Sequence, residues 1–380
     1  MQHWRWDGLS AGERQIALEL LRRGPMSRAA LARHLSLSAP SLTRLTKPLM
    51  DSGLLVAGPE TPAGQGRPAT PLQVDHGEHR VVGIKITADR VYGVCTDLRA
   101  QVLSSRSRAL RSRSPERVVR AVAELVRALL DDGPLAAVGV SLGGQTVGHR
   151  SVSRAPFLDW VDVDLADLLE NELEVPVTVE NDVVALAESE LWFGAGTQHD
   201  HFALVTVGAG VGLGLVVDGL QVTTPDSGVG TVGHLPLGVG DVTCDEGHVG
   251  CVSGLLTARA ITDAITRATG RPLTLDEAFA LASGDPGVRT ALAASGALLG
   301  RLLGLIANVS LASHLVVAGE VAPLARVARE EVLTGSRDYR PEPLLPLDIE
   351  VREGGFVDWA RGAAVVGIQR LVGGQASADT

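Results

Sequence analysis

The stretch at residues 176–196, PVTVENDVVALAESELWFGAG, decides the fold of this chain. It predicts a strand that ends in Glu180-Asn181-Asp182 and is followed directly by a helix. In an open α/β sheet, a carboxylate at the carboxyl end of a strand faces the crevice in which ligands bind. Asp182 is therefore predicted to be a general base or a ligand contact, and a cap for the helix beginning at Val183 is the alternative.

The length and composition indicate a globular protein of two or three domains. At 380 residues the chain exceeds the usual size of one hydrophobic core. Apolar runs such as residues 311–321 are interrupted before the ~20 residues of a membrane span, and the N-terminus lacks the apolar core of a secretory signal. Three cysteines, Cys95, Cys244 and Cys251, are too few for a disulfide scaffold. These features predict a cytoplasmic protein without membrane contact.

The net charge of -10 is unevenly distributed along the chain. Residues 21–67 contain seven basic and two acidic side chains, so this segment is net positive and the remainder is strongly negative. A negative body repels a polyanion, whereas the basic segment attracts one. We therefore expect any contact with nucleic acid in the N-terminal module.

The N-terminal module is predicted to form three short helices, at residues 11–23, 27–35 and 38–50. Gly24-Pro25 separates the first two, and Ser27 and Ser38 are suitable N-caps. A strand is predicted after Gly53, as in winged variants of the helix-turn-helix. In that motif the third helix enters the major groove of DNA. A small helical bundle used for dimerisation is the alternative.

The third helix has an apolar and a polar face. Leu42, Leu45 and Leu49 lie at helical spacing and are expected to face inward. Residues 58–71, with four prolines and three glycines, form a wing loop or linker. Within it, Gly66-Arg67-Pro68 either lays Arg67 into the minor groove or acts as a spacer. The predicted DNA contacts are Ser38, Ser41, Thr43, Arg44, Lys47 and Arg67.

From residue 80 onward, strand-like runs alternate with helical stretches, which predicts mixed sheets covered by helices. Two glycine-rich turns, at residues 139–144 and 208–214, allow backbone amides to approach a ligand. Neither fits the dinucleotide-binding fingerprint, so each is either a tight hairpin or a phosphate cradle.

Four segments together resemble the ROK family, the group of repressors, open reading frames and sugar kinases, in its regulator branch. They are VENDVVALAE, GVGTVGH at residues 228–234, the element between Cys244 and Cys251, and RGAAVVG at Arg361. The resemblance runs from about residue 11 to residue 372. It implies an α/β protein with an N-terminal winged helix-turn-helix and a two-lobed actin-like ATPase (ribonuclease H-like) body, with sugar bound between the lobes.

The resemblance also implies the domain boundaries. The winged helix-turn-helix is expected at residues 1–57 and a wing or linker at residues 58–79. The first lobe is expected at residues 80–190, completed by a C-terminal helix at residues 360–372. The second lobe, at residues 191–359, carries the zinc-type element.

The phosphate-binding loop departs from the pattern of the kinase members. These open the first lobe with an Asp-x-Gly-Gly-Thr loop that holds ATP phosphates and metal, whereas residues 85–89 here read Lys-Ile-Thr-Ala-Asp. Ala209 stands where the kinases have a phosphate-contacting threonine. Because phosphoryl transfer depends on positioning and on neutralising charge around the γ-phosphate, we expect no ATP binding and no phosphotransferase activity. Asp182 keeps the position of the family's catalytic base.

The sugar pocket implied by the resemblance has lost two carboxylates. Family members commonly use a glutamate in Gly-Glu-x-Gly-His and another two residues beyond the last cysteine, and Thr231 and Ser253 take these places. The ligand is therefore a different sugar, a modified sugar, or none. The ligand contacts that the resemblance implies are Gly143, Asn181, Asp182, Thr231, His234 and Ser253.

The family's zinc element is only partly retained. The family supplies one histidine and three cysteines to zinc; here His234, Cys244 and Cys251 align with three of these, and Glu246 replaces the middle cysteine. Zinc also accepts carboxylate oxygen, so a structural His-Cys-Glu-Cys site is chemically reasonable. His248 is an alternative fourth ligand, and a metal-free loop with two thiols is the other alternative.

The leading hypothesis is a transcriptional regulator that binds operator DNA as a homodimer or homotetramer and senses a sugar or sugar phosphate. Such coupling requires the ligand to bind one arrangement of the heads better than another. An active ATP-dependent sugar kinase with a DNA-binding module is the second hypothesis. A regulator that senses no sugar is the third.

Overall fold

The computed structural model describes residues 6–58, 70–130, 133–237, 242–340, 344 and 346–373. Its N-terminal head is a winged helix, and the three predicted helices are confirmed to within one residue at each end. The tripeptide containing Arg67, a predicted DNA contact, lies outside the described residues. The elements of the head are α1 (Ala11–Arg23), α2 (Arg28–His34), α3 (Ala39–Asp51) and the antiparallel strands β1 (Leu55–Ala57) and β2 (Leu72–Val74).

Side-chain caps fix where the helices of the head begin. The Ser10 hydroxyl accepts from the Glu13 N–H, and the Glu13 carboxylate accepts from the Ser10 N–H, which makes a capping box. Ser27 and Ser38 cap α2 and α3 through their hydroxyl oxygens, as predicted. Such a cap contributes about 1 kcal/mol by pairing a backbone N–H that the helix leaves unpaired.

The first lobe is built on a five-stranded mixed sheet. Helices α4 and α5 pack on one face of this sheet, and α6 and the C-terminal helix α13 pack on the other. A small antiparallel sheet of β7, β8 and β9, which was not predicted, lies beside it. The elements are β3 (Arg80–Ile86), β4 (Arg90–Thr96), β5 (Val102–Ala109), α4 (Pro115–Leu129), β6 (Leu135–Leu142), β7 (Gln145–Val147), β8 (Ser151–Ala155), β9 (Trp160–Val163), α5 (Leu165–Leu173), β10 (Val177–Asn181) and α6 (Asp182–Phe193).

The second lobe contains another five-stranded sheet and most of the remaining helices. The helix predicted at residues 252–268 is divided at Thr257, whose hydroxyl accepts from the Ala260 N–H and starts a new helix. The elements are β11 (Phe202–Val207), β12 (Val211–Val217), β13 (Leu220–Gln221), α7 (Ser253–Leu256), α8 (Ala258–Thr269), α9 (Leu275–Leu281), α10 (Pro286–Ser310), β14 (His314–Ala318), α11 (Leu324–Val327), α12 (Arg329–Arg337), β15 (Asp348–Val351) and α13 (Phe356–Gly373).

The two lobes share one sheet topology. The strand orders are β5-β4-β3-β6-β10 and β13-β12-β11-β14-β15. In each sheet the first three strands pair antiparallel with one another, and the third, fourth and fifth strands pair in parallel. Helix α13 returns from the second lobe and packs on the first. The predicted α/β fold, with a winged helix-turn-helix and a two-lobed actin-like body, is confirmed.

Helix α10 is long and apolar enough to cross a membrane by length and composition, with a mean hydropathy of 1.6 in its most apolar window. The expectation that every apolar run is too short overlooked this helix. The fold buries 67% of that window. A Cβ on Gly300 would lie 2.1 Å from the Val332 carbonyl oxygen, so the backbones of α10 and α12 are in contact. Helix α10 therefore packs as a core helix of the second lobe.

The head and the first lobe share a hydrophobic core. Trp6, Leu20 and Leu31 of the head belong to the same buried cluster as Val365 and Ile368 of α13. Polar contacts reinforce this junction: the Arg14 guanidinium donates to the carbonyl of Val372, and the Arg22 guanidinium lies 5.5 Å from the centre of the Trp192 ring. The head is thus docked on α13 and on the carboxyl end of α6.

Candidate functional site

The cleft between the lobes is organised around Asn181, the last residue of β10. Its side-chain oxygen accepts from the N–H groups of Val183 and Val184, so Asn181, and not Asp182, is the N-cap of α6. Its amide nitrogen donates to the carbonyl of Gly144 at 2.8 Å and to the carbonyl of Gly228 at 3.3 Å. The side chain, 2% exposed, therefore links the first lobe to a loop of the second. Its predicted ligand contact stays a prediction.

Asp182, the first residue of α6, forms an ion pair with Lys85 of β3. The two side chains are 14% and 7% exposed, and the Lys85 ammonium lies 5.2 Å from the centre of the Trp359 ring. The other carboxylate oxygen of Asp182 accepts from the Val183 N–H at 2.9 Å. Lys85 thus compensates the charge of Asp182, whose predicted role as base or ligand contact stays a prediction.

Two glycines approach Asn181 and Asp182 closely, and at Gly228 no other residue fits. A Cβ on Gly143 would lie 3.6 Å from the Asp182 carboxylate and 3.2 Å from the Phe157 ring. Gly228 has φ +75°, and a Cβ there would lie 1.9 Å from the Asn181 side-chain oxygen. The structure thus brings three predicted ligand residues, Gly143, Asn181 and Asp182, to one point at the carboxyl ends of β6 and β10.

The other predicted ligand residues lie on the second lobe. Thr231 and His234 begin and end a short 3-10 helix that follows the Gly228 loop, and Ser253 is the first residue of α7. Between them, a Cβ on Gly233 would lie 2.2 Å from the Ser253 hydroxyl. The Thr231–His234 turn therefore packs directly on the start of α7.

His234, Cys244 and Cys251 form a cluster that can hold a metal ion, since one ligand atom of each lies within 4.8 Å of the others. The Cys244 sulfur lies 3.7 Å from His234 Nδ1, and His248 Nδ1 lies 3.1 Å from the same nitrogen. Neither Glu246, the predicted fourth ligand, nor His248, the alternative, is part of this cluster. The donor set of one imidazole and two sulfurs suits zinc.

The two thiols differ in acidity. Burial acts to raise the pKa of the Cys244 thiol, but the backbone N–H groups of His248 and Glu246 and the Cys251 thiol donate to its sulfur and hold the pKa below its ordinary value. Burial raises the pKa of the Cys251 thiol, and the neighbouring Cys244 sulfur raises it further. Cys244 is therefore the readier thiolate of the pair, and thiolate is the form that binds metal.

The predicted DNA-contacting face of α3 lies on the surface. Ser38, Thr43, Arg44 and Lys47 are exposed and Ser41 is half-buried, while Leu42 and Leu49 are buried and Leu45 is half-buried. The Ser38 hydroxyl donates to the Ser41 hydroxyl at 2.9 Å, and the Thr43 hydroxyl donates to the Ala39 carbonyl. The face therefore presents hydroxyl oxygens as acceptors beside two long cationic side chains.

Sequence reasoning missed two features of the cleft. It interpreted Lys85 only as the replacement of an acidic residue. It did not identify Asp182, 97 residues further along the chain, as the ion-pair partner of Lys85. It also did not place Glu180, whose carboxylate accepts from the Thr146 hydroxyl at 2.9 Å and lies 2.8 Å from His149 Nδ1. The β7–β8 hairpin supplies both of these partners, Thr146 from β7 and His149 from the turn between its strands, and no local signal in the sequence joins them to β10.

The chain belongs to the ROK family, whose family model matches residues 81–367. It is 26% identical over 258 residues to a putative xylose repressor from Caldicellulosiruptor. That alignment covers 66% of the chain and 64% of the relative, so the chain spans less than two thirds of the relative's length.

Two solved structures show the same fold. The crystal structure of a ROK family transcriptional regulator, a homologue of the Escherichia coli Mlc protein, superposes with a TM-score of 0.76 at 21% identity. The superposition covers 95% of the chain and 96% of that structure, and so includes the head. A ROK glucokinase from Streptomyces griseus, in complex with glucose and AMPPNP, has a TM-score of 0.67 at 23% identity, over 76% of the chain and 99% of the kinase.

Proposed function

We propose that this protein is a DNA-binding transcriptional regulator whose kinase-like body binds a carbohydrate and thereby changes the position of the winged-helix head. One observation carries the proposal: the head shares its buried core with α13 and the end of α6, and α6 begins at the cleft. The exposed hydroxyls and cations of α3 are suited to phosphate and base contacts in a major groove.

Helix α6 is the physical link between the cleft and the head. It starts with Asp182 beside Lys85 and ends with Phe193, and its 12 residues span about 18 Å. Near its end, Trp192 lies under Arg22 of α1. Halfway along, the Glu188 carboxylate accepts from the Gln369 amide of α13. A ligand that displaces the first turn of α6 therefore acts on the surface that holds the head.

We further propose that the body has no phosphotransferase activity. An ammonium group now lies beside Asp182, where a kinase needs its base free to accept the proton of the attacking sugar hydroxyl. Thr87 and Asp89 also fill the β3–β4 turn with side chains that bond to each other at 3.0 Å. Carboxylate oxygens such as that of Asp89 repel the phosphates that a glycine loop would hold.

The ligand class that we propose is an aldose or its phosphate. Asp182 retains free lone pairs on its carboxylate and can still accept from a sugar hydroxyl. Thr231 and Ser253 are neutral donors and acceptors, so the pocket contacts fewer hydroxyls through charged groups than one with two glutamates. Xylose is the first sugar to test, because the relative described above is called a xylose repressor.

Two further assignments follow from the same proposal. Winged helices usually read two half-sites, so the regulator would act as a homodimer or homotetramer in the cytoplasm, where its DNA lies. Zinc would bind His234, Cys244 and Cys251 with His248 as the fourth ligand in place of Glu246, because the His248 ring already lies against His234. It would fix the turn that carries His234 and have a structural role.

The regulator is tested by selecting DNA fragments of the source genome on the purified protein and measuring their affinity by fluorescence polarisation. We expect Arg44→Ala/Lys47→Ala to weaken binding and to reduce the slope of log affinity against log salt by about 2, one for each lost phosphate contact. Arg259→Ala, an exposed change on the second lobe, is the control. A wild-type protein that binds no DNA at moderate salt would end the proposal.

Sensing and catalysis are tested separately. Calorimetry with xylose, glucose and their phosphates should give heat with at least one ligand, and that ligand should change the DNA affinity. A coupled assay with ATP and the same sugars should show no turnover. Turnover that disappears in Asp182→Asn would instead establish a kinase, and absence of heat with every compound would establish a regulator without a sugar ligand.

The zinc assignment predicts different effects for two neighbouring side chains. His248→Ala should lower zinc affinity strongly because it removes a ligand, whereas Glu246→Gln should leave it nearly unchanged. Competition with a chromophoric chelator measures both affinities. The reverse ranking would restore Glu246 as the ligand, and equal, weak binding in both variants and the wild type would show a metal-free loop.

A further inference from the structure

A second polar cavity lies on the second lobe, away from the cleft. Its volume is about 450 Å³, and its lining includes Gln198, His199, His314, Asp348 and Glu350. His314 and Asp348 are the first residues of the parallel strands β14 and β15 and are paired in register. The cavity therefore opens at the amino edge of the sheet, whereas the cleft is at the carboxyl edge.

His314 is the central side chain of this cavity. It is only 5% exposed, and its Nδ1 lies 2.8 Å from a carboxylate oxygen of Asp348, with hydrogen-bond geometry. Its Nε2 is buried and has no hydrogen-bond partner among the described residues, although a carboxylate oxygen of Glu350 lies 3.3 Å away. A buried ring nitrogen without a hydrogen bond calls for a missing partner, and an ordered water or an ion bound to it and to the carboxylate is such a partner.

The separation of these two atoms fits a shared metal ion. Two ligands on a tetrahedral zinc with bonds of 2.0–2.1 Å lie about 3.3–3.4 Å apart. The bond from His314 Nδ1 to Asp348 completes the pattern in which a carboxylate orients a metal-binding histidine through its other nitrogen. Asp348 is then a positioning residue, and His314 and Glu350 are ligands.

His199 supplies a third donor. Its ring stacks on that of His314, with centroids 3.9 Å apart and planes 9° apart, and its ligand atom lies within 4.8 Å of those of His314 and Asp348. Because the two rings lie in parallel planes, the nitrogen lone pairs of His199 and His314 do not point at a common position. The His199 side chain must therefore rotate before it can bind the same ion. Its half-buried ring forms no hydrogen bond within the part of the chain that the structure describes, which leaves that rotation open.

The nearby arginine does not oppose a cation. Arg352 donates two hydrogen bonds of 2.8 Å to the buried carboxylate of Glu190 and a third to one oxygen of Glu350. The Glu190 charge offsets the guanidinium, and the second oxygen of Glu350 remains directed at His314. The carboxylate of Asp348 adds a further negative charge at the mouth of the cavity.

We propose that His199, His314 and Glu350 bind a divalent cation of the zinc, cobalt or nickel class, with Asp348 holding His314 in position. Imidazole and carboxylate donors suit these ions. The site has no sulfur ligand and is separate from the His234 cluster. His199 follows the Ala195–Thr197 turn directly after α6, so the ion ties the end of α6 to the sheet of the second lobe.

Cobalt binding to the full-length protein tests this site. Equilibrium dialysis at micromolar free cobalt measures the equivalents bound, and absorption spectra separate the two clusters, because only the Cys244 and Cys251 thiolates give sulfur-to-cobalt charge transfer. We expect His199→Ala to lose one equivalent with no change in the charge-transfer band. His201→Ala, whose ring lies against the Ser310 carbonyl outside the cluster, should bind as the wild type does.

Two carboxylate variants separate a ligand from a positioning residue. Glu350→Gln should abolish the second equivalent, and Asp348→Asn should weaken it by roughly 10–100-fold without removing it. The proposal is overturned if wild type and His199→Ala bind equal amounts of cobalt, or if every bound equivalent shows charge transfer. If Glu350→Gln perturbs folding, the amounts of cobalt bound by the wild type and by His199→Ala still test the proposal.

Discussion

The β3–β4 hairpin of the first lobe and the β11–β12 hairpin of the second lobe have the same place in two sheets of the same topology. In the first, the Thr87 hydroxyl bonds to Asp89 and to the Arg90 carbonyl, so side chains fill the turn. In the second, the Gly208 N–H donates to the Gly210 carbonyl, and no atom lies within 4 Å of the place where a Cβ on Gly210 would be.

The first turn of α6 touches both hairpins. Asp182 is paired with Lys85 in the first, and the Val183 side chain lies against Gly212 in the second. The β3–β4 hairpin is thus tied to α6 by an ion pair, whereas the turn of the β11–β12 hairpin is an open loop of backbone. The two hairpins therefore differ in how they meet α6: the first through a nearly buried ion pair, the second through an apolar side chain packed on a glycine.

The largest effect on stability is expected from breaking the ion pair of Lys85 and Asp182. Lys85→Met leaves the Asp182 carboxylate nearly buried without its cation, which should lower the free energy of unfolding by about 3–5 kcal/mol. Replacing both partners, in Lys85→Met/Asp182→Leu, should restore stability to within about 1 kcal/mol of the wild type, since no uncompensated charge is left. Urea denaturation gives the free energy of unfolding of the wild type and both variants.

The exposed pair of Arg259 and Asp263 provides the control for that experiment. Their side chains are 81% and 64% exposed and 3.8 Å apart, so Arg259→Ala should change stability by less than about 0.5 kcal/mol. A similarly small loss for Lys85→Met would mean that water screens the cleft pair, and the two hairpins would then differ less than the structure indicates.

A smaller effect is expected in the second hairpin. Gly212 pairs with Thr206, and a Cβ there would lie 2.6 Å from the Thr206 hydroxyl and 2.7 Å from the Val183 side chain. Gly212→Ala should therefore cost about 1–3 kcal/mol through overpacking. Gly210→Ala meets no atom and should change stability by about 0.5 kcal/mol or less. Equal costs at both positions, again measured in urea, would show that α6 does not pack on this hairpin.

The smallest effect on stability is expected from replacing Glu188, a carboxylate halfway along α6. Burial raises the pKa of the Glu188 carboxyl, and the negative charge of Glu180 acts in the same direction, against the hydrogen bond from Gln369. A carboxyl with a raised folded pKa destabilises the protein once the pH exceeds its unfolded value. Glu188→Gln should therefore stabilise the protein at pH 7 by a small amount, below the effects described above.

The pH dependence checks the sign of that effect. The gain of Glu188→Gln should disappear as the pH falls below the ordinary glutamate pKa of 4.5, because both forms are then neutral. Thermal unfolding of the two proteins at pH 4 to 8 gives the difference. A gain that grows toward low pH would show that the Glu188 charge stabilises the junction of α6 and α13.

The sequence predicted the head more completely than the body. Ser27 and Ser38 are local signals, and the helices of the head begin where these caps place them. Strands β7 to β9 have no such signal, because their stability comes from packing beside β10 and on α5. The division of the predicted helix at Thr257 was missed because both of its halves have a helical pattern.

The candidate site was predicted in part. Asn181 and Asp182 were identified from their place at the end of a strand; capping of α6, the alternative considered for Asp182, is done by Asn181, and the ligand contacts of both stay predictions. The metal-type cluster of His234 and two cysteines was implied by the resemblance to the ROK family, and His248 was already an alternative to Glu246. The cluster of His199, His314 and Asp348 was not found, because its three members come from separate segments.

By itself the sequence determined the kind of protein: a basic helical head, an α/β body, and a first hairpin that carries Lys85, Thr87 and Asp89. These are properties of residue type and local spacing. Only the tertiary structure decided that Lys85 meets Asp182, that Asn181 links two lobes, and that α6 joins the cleft to the head. Such contacts depend on how distant segments pack, and a charge or hydrogen bond buried between them leaves no local pattern in the chain.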